Sequence, residues 1–282
     1  MATYSNSKPT VLSYVSIFES LWEQVQLYEQ LKAHDKMQKE FINMASHEMK
    51  TPTQAIVGYS DLIQKHPERR EEMIQAISRN AVRLQRLTND ILDVTRIDSQ
   101  TLKLNKEKFN LNDLIASILE DYRSNIEKEN SKVRLLYDNK YDTGGSPIVE
   151  ADRERIAQVI SNIVGNAIKF TSKEQGGTVS VTLEKNVNNK ENEEEVTVAV
   201  RDTGEGIHHE ILPRLFTKFA TKSFTGTGLG LYISKNIIEA HRGRMWAQNN
   251  PNKQGATFTF TLPLLNNRKS GQQTEDSKEE KG

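Results

Sequence analysis

The sequence predicts a chain of two parts: a long helical hairpin that forms a dimeric four-helix bundle, followed by an α/β sandwich domain, so the whole is multidomain, α then α+β. Three observations carry this expectation. Ile17, Leu21, Tyr28, Leu31, Ile42, Ala45, Met49, Pro52, Ile56, Tyr59 and Ile63 fall on one alternating three-and-four register, broken at Gln24, Asp35 and Gln38. That is the seam of a helix packed in a coiled coil or bundle. After a break at His66-Pro67, the run Ile74, Ile77, Ala81, Leu84, Thr88, Ile91, Thr95 and Asp98 keeps the same register. Beyond Lys108 short alternating runs mix with amphipathic ones, as expected of helices covering one face of a sheet.

The first helix is expected over Val11 to Gln64, far longer than the roughly 8 to 20 residues of most globular helices. Its middle, Lys32 to Glu40, is highly charged. It reads either as a solvated stretch or as a weak coil able to slip or rotate and so transmit a signal, because polar seam residues lower coil stability. Glu68 to Asp98 forms the second helix of an antiparallel hairpin. Two helices alone bury too little, so two copies are expected to pair as a homodimer. After a linker at Ser99 to Lys108, the elements expected are a helix at Leu111 to Glu129 opened by Asn110, a strand at Val133 to Tyr137, a turn at Asp142 to Gly145 and a strand at Ile148 to Glu150. A helix at Asp152 to Phe170 follows. Strands at Thr178 to Leu183 and Val196 to Arg201 flank a polar hairpin tip, Lys185 to Glu195. A helix at Gly228 to His241 and strands at Met245 to Gln248 and Ala256 to Leu262 complete the domain. From Asn266 onward the composition is that of a disordered tail.

Composition bounds the function. The chain has 282 residues, 35% hydrophobic and 27% charged, enough for two modest domains with real cores. Formal net charge is zero, which argues against a general nucleic-acid surface. There are no cysteines, so disulfide and thiol chemistry are excluded and a reducing compartment is expected. No apolar run reaches the roughly 18 residues a membrane span needs. Met1 to Thr10 lacks the charged and apolar regions of a signal peptide. Such a start, running straight into a helix, fits the cut edge of a larger protein.

The chemistry begins at Phe41-Ile-Asn-Met-Ala-Ser-His47-Glu48-Met49-Lys50-Thr51-Pro52. His47 lies two residues from the seam positions Ala45 and Met49, so at about 3.6 residues per turn it faces solvent. Thr51, at i+4, shares its face, and Glu48 sits about a quarter turn away. Pro52 removes a donor to the Glu48 carbonyl and is expected to bend the helix. A lone helical histidine is usually just an exposed polar residue, but an imidazole beside a carboxylate and a hydroxyl suits a nucleophile.

Three further segments lie in the second domain. In Asn162-Ile-Val-Gly-Asn166-Ala-Ile-Lys169-Phe170, the amides and the lysine share one helix face. Amide oxygens suit a hydrated Mg²⁺, and a lysine meets phosphate as a point charge. Asp202-Thr203-Gly204-Glu205-Gly206-Ile207 follows a strand, where a carboxylate can accept the exocyclic amine of adenine while glycines let backbone approach a flat base. Taken alone it is a common turn. Gly226-Thr227-Gly228-Leu229-Gly230-Leu231 opens a helix whose amides can bind phosphate, and it matches neither a Walker A loop nor a Rossmann fingerprint. The residues between, with Phe216, Lys218, Phe219, Lys222 and Phe224, read as a lid over a nucleotide or as a plain loop.

Together these segments resemble the catalytic core of a sensor histidine kinase. Residues 41 to 63 resemble the H-box of its dimerisation and phosphotransfer domain. Residues from about 110 to 264 resemble the GHKL-type ATPase fold, with N, G1, F and G2 boxes in order. The resemblance implies a division into 1–34, a tail and signalling coiled-coil helix; 35–98, the phosphotransfer hairpin; 99–109, a linker; 110–265, the ATP-binding domain; and 266–282, a disordered tail. It implies His47 as phosphoacceptor, Glu48 as proton acceptor, and Thr51 as the group positioning water for regulator dephosphorylation. It implies Asn166 as the main Mg²⁺ ligand, with Asn162 and Lys169 near the phosphates, Phe170 against the nucleotide and Asp202 on adenine. Gly204, Gly206, Ile207, Gly226, Gly228, Leu229 and Gly230 would line the nucleotide, with Thr257 at the base through water. Where many relatives carry an arginine after the lid aromatics, this chain offers Lys222 or Lys218, which lack the bidentate fork.

The implied activity is ATP- and Mg²⁺-dependent autophosphorylation, with transfer to the receiver domain of a separate response regulator and a companion phosphatase activity. No sensor or receiver domain is recognisable in the chain. A cytoplasmic location is expected, as is the cytoplasmic portion of a membrane-anchored sensor. The ATP domain is expected to swing across its linker to reach His47. Two other classes compete: a non-catalytic ATP-binding relay or scaffold, which a missing phosphoacceptor would favour, and a chaperone- or topoisomerase-type ATPase, which gives no reason for the H-box hairpin.

Overall fold

The computed structural model describes residues 8–129, 131–141, 146–171, 176–188, 193–220, 227–251 and 254–265. The expected turn at Asp142 to Gly145, the lid positions Lys222 and Gly226 and the tail from Asn266 lie outside these. Contacts divide the chain into two units, Met1–Thr88 and Asn89–Gly282.

The first unit is built on α1 (Lys8–Lys65), 58 residues long with Pro52 inside it and buried. The helix ends where His66 takes φ −132° and ψ 68°, because the ring of Pro67 disfavours helical backbone in the residue before it. A single 3-10 turn, Pro67–Arg69, leads into α2 (Arg70–Asp98). Ala45 of α1 and Met73, Ala76 and Leu87 of α2 are buried within one chain. This shifts the expected face of α2 by one position, since Ile74 is 42% exposed while Met73 is 5% exposed. Two apolar stripes run side by side about 100° apart on this helix, and the chain's own hairpin covers the earlier one. Of the expected stripe Ile74 stays exposed while Ile77, Leu84 and Ile91 are half-buried, and Ile17, Leu21, Tyr28 and Leu31 of α1 are exposed.

In the second unit the elements are β1 (Lys106–Asn110), α3 (Leu111–Lys128), β2 (Val133–Asn139), β3 (Ile148–Asp152), α4 (Arg153–Phe170), β4 (Gly177–Asn188), β5 (Glu193–Asp202), α5 (Gly230–Ala240), β6 (Met245–Asn249) and β7 (Ala256–Pro263). The sheet runs β2-β4-β5-β7-β6, with β2 parallel to β4 and every other pair antiparallel. β1 and β3 form a separate antiparallel pair. Strand β1 falls partly in the expected linker, since Lys-Glu-Lys carries no apolar alternation and its pairing partner is remote in sequence. Strands β4 and β5 also reach further into the polar tip than expected. Backbone bonds hold them there regardless of side-chain polarity, and Asn186 Nδ2 donates to Thr197 Oγ1 at 2.7 Å across the ladder.

The α/β sandwich expectation holds. Val179, Val181 and Leu183 of β4 and Val196, Val198 and Val200 of β5 are fully buried, together with Ile156, Ile160 and Ile163 of α4. Each such side chain contributes roughly 1.5–3 kcal/mol through removal from water. Side-chain caps start the helices: Asn110 accepts from Asn112 N–H and Asp152 from Arg155 N–H. The last turns of α2 belong to this unit, where buried Asp93 accepts from Arg155 Nη1 at 2.7 Å and Gln158 Nε2 at 3.0 Å. Buried His241, just past α5, accepts from Asp152 N–H at Nε2 (2.9 Å) and lies 2.8 Å from the Ile237 carbonyl at Nδ1. Burial pushes its pKa below the ordinary histidine value, since the charged form would be desolvated.

Candidate functional site

Two groups of residues carry the chemistry, one in each unit. On α1, His47 and Thr51 are exposed and Glu48 is half-buried, as the seam register predicts. The Thr51 hydroxyl donates to the His47 carbonyl at 3.4 Å. Glu48 Oε2 accepts from Arg83 Nη2 of α2 at 3.1 Å, an ion pair across the hairpin. Nothing local in the sequence marks Arg83, which stands 35 positions further on.

The second group surrounds the α4–α5 contact and the ends of β5 and β7. Asn162 and Asn166 are half-buried on α4. Asn162 Nδ2 donates to Ser234 Oγ at 2.9 Å, and Asn166 Nδ2 approaches Asn162 Oδ1 at 3.5 Å. The described hydrogen bond of the Asn166 side chain thus uses its nitrogen, and the neutral amide oxygen suits a hydrated Mg²⁺. Lys169 and Phe170 are exposed at the end of α4, with Lys169 Nζ 5.2 Å from the Phe170 ring centre.

Asp202 ends β5 and is 3% exposed. Burial pushes its pKa up, while the N–H groups of Gly204 and Ala256 oppose the shift. Both bonds fall on Oδ1, at 2.8 and 3.3 Å. Asn250, which sequence reasoning missed, braces this corner: its Nδ2 donates to the Asp202 and Gln254 carbonyls, and its Oδ1 accepts from Thr257. Ile207 is clamped by Asn249, which accepts its N–H at 2.6 Å and donates to its carbonyl at 2.9 Å.

Two of the glycines also pack closely against protein atoms. A Cβ at Gly204 would lie 2.3 Å from the Phe170 carbonyl oxygen, and one at Gly230 would lie 2.4 Å from Asn162 Oδ1. Their neighbours are protein atoms, so these glycines close the fold around the site. Gly228 adopts φ +67°, a left-handed conformation that a side chain disfavours, and its carbonyl accepts from Phe219 N–H at 3.0 Å. Leu229 is buried, and Gly230 starts α5, whose N-terminal amides favour an anion. Lys218 binds Asp98 and lies 5.3 Å from the Tyr232 ring centre.

Comparison with known proteins agrees with this layout. Residues 37–100 match the His Kinase A (phospho-acceptor) domain, and residues 151–266 match the histidine kinase-, DNA gyrase B- and HSP90-like ATPase family. The sensor histidine kinase WalK of Bacillus subtilis (strain 168) is 30% identical over 239 residues, covering 81% of this chain and 37% of its own length. The sensor protein SrrB of Staphylococcus aureus (strain N315) is 32% identical over 239 residues, covering 81% and 38%. The chain therefore spans under two-fifths of the length of these relatives. Among solved structures, histidine kinase ThkA in complex with the response regulator TrrA superposes with TM-score 0.59 at 29% identity, over 80% of this chain and 61% of that one. The Acinetobacter baumannii histidine kinase AdeS shares the fold, with TM-score 0.59 at 24% identity over 78% of this chain and 98% of its own.

The fold and the paired matches define a catalytic core with a phosphoacceptor hairpin and an ATPase domain. The chain belongs to the histidine kinases. Among the described residues, no helix is long and apolar enough to cross a membrane.

Proposed function

We propose that this chain catalyses ATP-dependent autophosphorylation of His47 and passes the phosphoryl group to an aspartate of a separate response regulator. The observation that carries this reading is an exposed His47 flanked by a carboxylate that pairs with Arg83, in a chain that also matches an ATPase family. In the phosphorylation step a ring nitrogen of His47 attacks the γ-phosphorus, the bond to the bridging oxygen breaks and ADP leaves. The proton on the other ring nitrogen passes to Glu48, which raises nucleophilicity as the new bond forms. Asp202 accepts the adenine amine. Asn162, Asn166 and Lys169 would face the phosphates, and Asn166 would hold Mg²⁺, which would supply charge neutralisation at the phosphoryl oxygens. Lys222 or Lys218 would serve as the lid cation at the γ-phosphate.

Two copies acting as a homodimer would cover the apolar side chains that α1 and α2 leave exposed. Thr51, one turn beyond His47 on its exposed face, would position water for dephosphorylation of the regulator. The domain division at 35–98 and 110–265 belongs to the same proposal, as does a cytoplasmic location, where ATP and a receiver domain are at hand. Incubation with γ-labelled ATP should yield an acid-labile, base-stable label that His47→Gln abolishes. Label that survives in that variant refutes the assignment. ATP binding with no phosphohistidine would restore the reading of a non-catalytic module.

A further inference from the structure

The turn that follows Ile207 carries His208, His209 and Glu210, three consecutive exposed residues that nothing in the proposed reaction uses. One ligand atom from each side chain lies within 4.8 Å of the other two. The two imidazoles stack with ring centres 4.4 Å apart and planes 30° apart. Glu210 Oε2 stands 3.7 Å from His208 Nδ1. We propose that these three side chains form a binding site for a borderline divalent transition metal, with Zn²⁺ as the ion, separate from the Mg²⁺ site on α4.

Geometry and ligand chemistry support this. Tetrahedral ligation at about 2.0–2.2 Å places ligand atoms about 3.4 Å apart, so the His208–Glu210 pair at 3.7 Å is already close and the widest separation, within 4.8 Å, must close by at most about 1.4 Å. Exposed side chains can do that by small rotamer changes. The backbone beneath them is held on both sides. Asn249 clamps Ile207 through two hydrogen bonds. The His208 carbonyl accepts from the N–H groups of Ile211 and Leu212 at 2.9 and 3.1 Å. Ile211 is buried, 7% exposed. A site whose main chain is already fixed loses little conformational freedom on binding. Two imidazoles and one carboxylate suit Zn²⁺, and three protein ligands leave a position for water. Magnesium prefers oxygen ligands, so millimolar Mg²⁺ supplied for ATP does not displace the metal.

The bound ion would tie the turn between the Asp202–Ile207 segment and the 3-10 turn at Leu212–Arg214. The test is calorimetric titration of the full chain with ZnCl₂ in a non-chelating buffer containing millimolar Mg²⁺. One equivalent should bind with a dissociation constant in the micromolar range, a free energy near −8 kcal/mol at about 1 μM. The double substitution His208→Asn/His209→Asn should weaken it at least about tenfold. Glu210→Gln should weaken it less, and His47→Gln should leave it intact. Because all three side chains are exposed, the thermal melting of the double variant without metal should match that of the parent. Co²⁺ should give the visible absorption of a low-symmetry nitrogen-ligated ion in the parent and lose it in the double variant. Unchanged Zn²⁺ affinity in that variant, or parent binding only at millimolar Zn²⁺, overturns the site.

Discussion

Gly230→Ala tests how the nucleotide site is assembled. The added methyl would lie 2.4 Å from Asn162 Oδ1, 2.9 Å from its Cγ and 3.0 Å from its Nδ2. The α4 backbone cannot retreat, because Ile160, Ile163 and Val164 beside Asn162 are fully buried. The Asn162 amide therefore has to rotate away and gives up its 2.9 Å bond to Ser234, which costs about 1 kcal/mol. Against that, alanine is favoured over glycine in a helix by up to about 1 kcal/mol. The two effects nearly cancel, so stability should change by less than about 1 kcal/mol and the melting temperature by only a few degrees. Nucleotide affinity has no such offset. A displaced amide beside Asn166 should weaken ATP-Mg²⁺ binding about tenfold, or some 1.4 kcal/mol. Calorimetric titration of the full chain with ATP-Mg²⁺, paired with thermal melting, separates the two. Unchanged affinity refutes the assignment of Asn162 to the phosphate side, and a large loss of melting temperature shows that the backbone yields instead of the side chain.

Four other variants have outcomes that follow from the geometry. Glu48→Gln should slow autophosphorylation about a hundredfold with ATP affinity unchanged, as removal of a proton acceptor does. Arg83→Ala should slow it only severalfold and cost less than about 1 kcal/mol of stability, since the pair is partly exposed; equal rates for Glu48→Gln and the parent would remove the carboxylate from the reaction. Thr51→Ala should abolish regulator dephosphorylation in a phosphatase assay while autophosphorylation stays within about twofold, the range of a neutral surface change; the reverse pattern reverses the role. For pH, the depressed pKa of His241 means that below about 6.5 the unfolded chain binds more protons than the folded one. Its stabilisation is full above 6.5 and is lost as pH falls toward the native value. Urea midpoints at pH 5 and 7 should differ less in His241→Gln than in the parent, and an equal difference would show that another group drives the slope. Asp202 acts with the opposite sign in a window that opens at 3.8, because its native pKa is raised.

Local pattern was enough for much of this protein. Helical period alone placed His47 and Thr51 on an exposed face and Ala45 on a buried one, because at fixed rise and turn a residue's direction follows from its position. The break at His66-Pro67 and the cap at Asn110 are likewise written in one or two residues, since each works through a local clash or a hydrogen bond two positions away. The ordered segments around Asn162, Asp202 and Gly228 pointed to a nucleotide for the same reason: each carries its chemistry within a few residues.

Only the tertiary structure decided the rest, and in each case a partner distant in sequence was involved. Arg83 reaches Glu48 across the hairpin, Ser234 meets Asn162 from another helix, and Asn250 braces Asp202 from just past the end of β6. The choice between two adjacent apolar stripes on α2 depended on what α1 covers. Strand β1 exists because β3 pairs with it, and its own residues do not announce a strand. Gly204 and Gly230 are glycines because Phe170 and Asn162 crowd them. Periodicity and capping are properties of a short stretch of chain, whereas these contacts are set by where remote segments come to rest when the core closes.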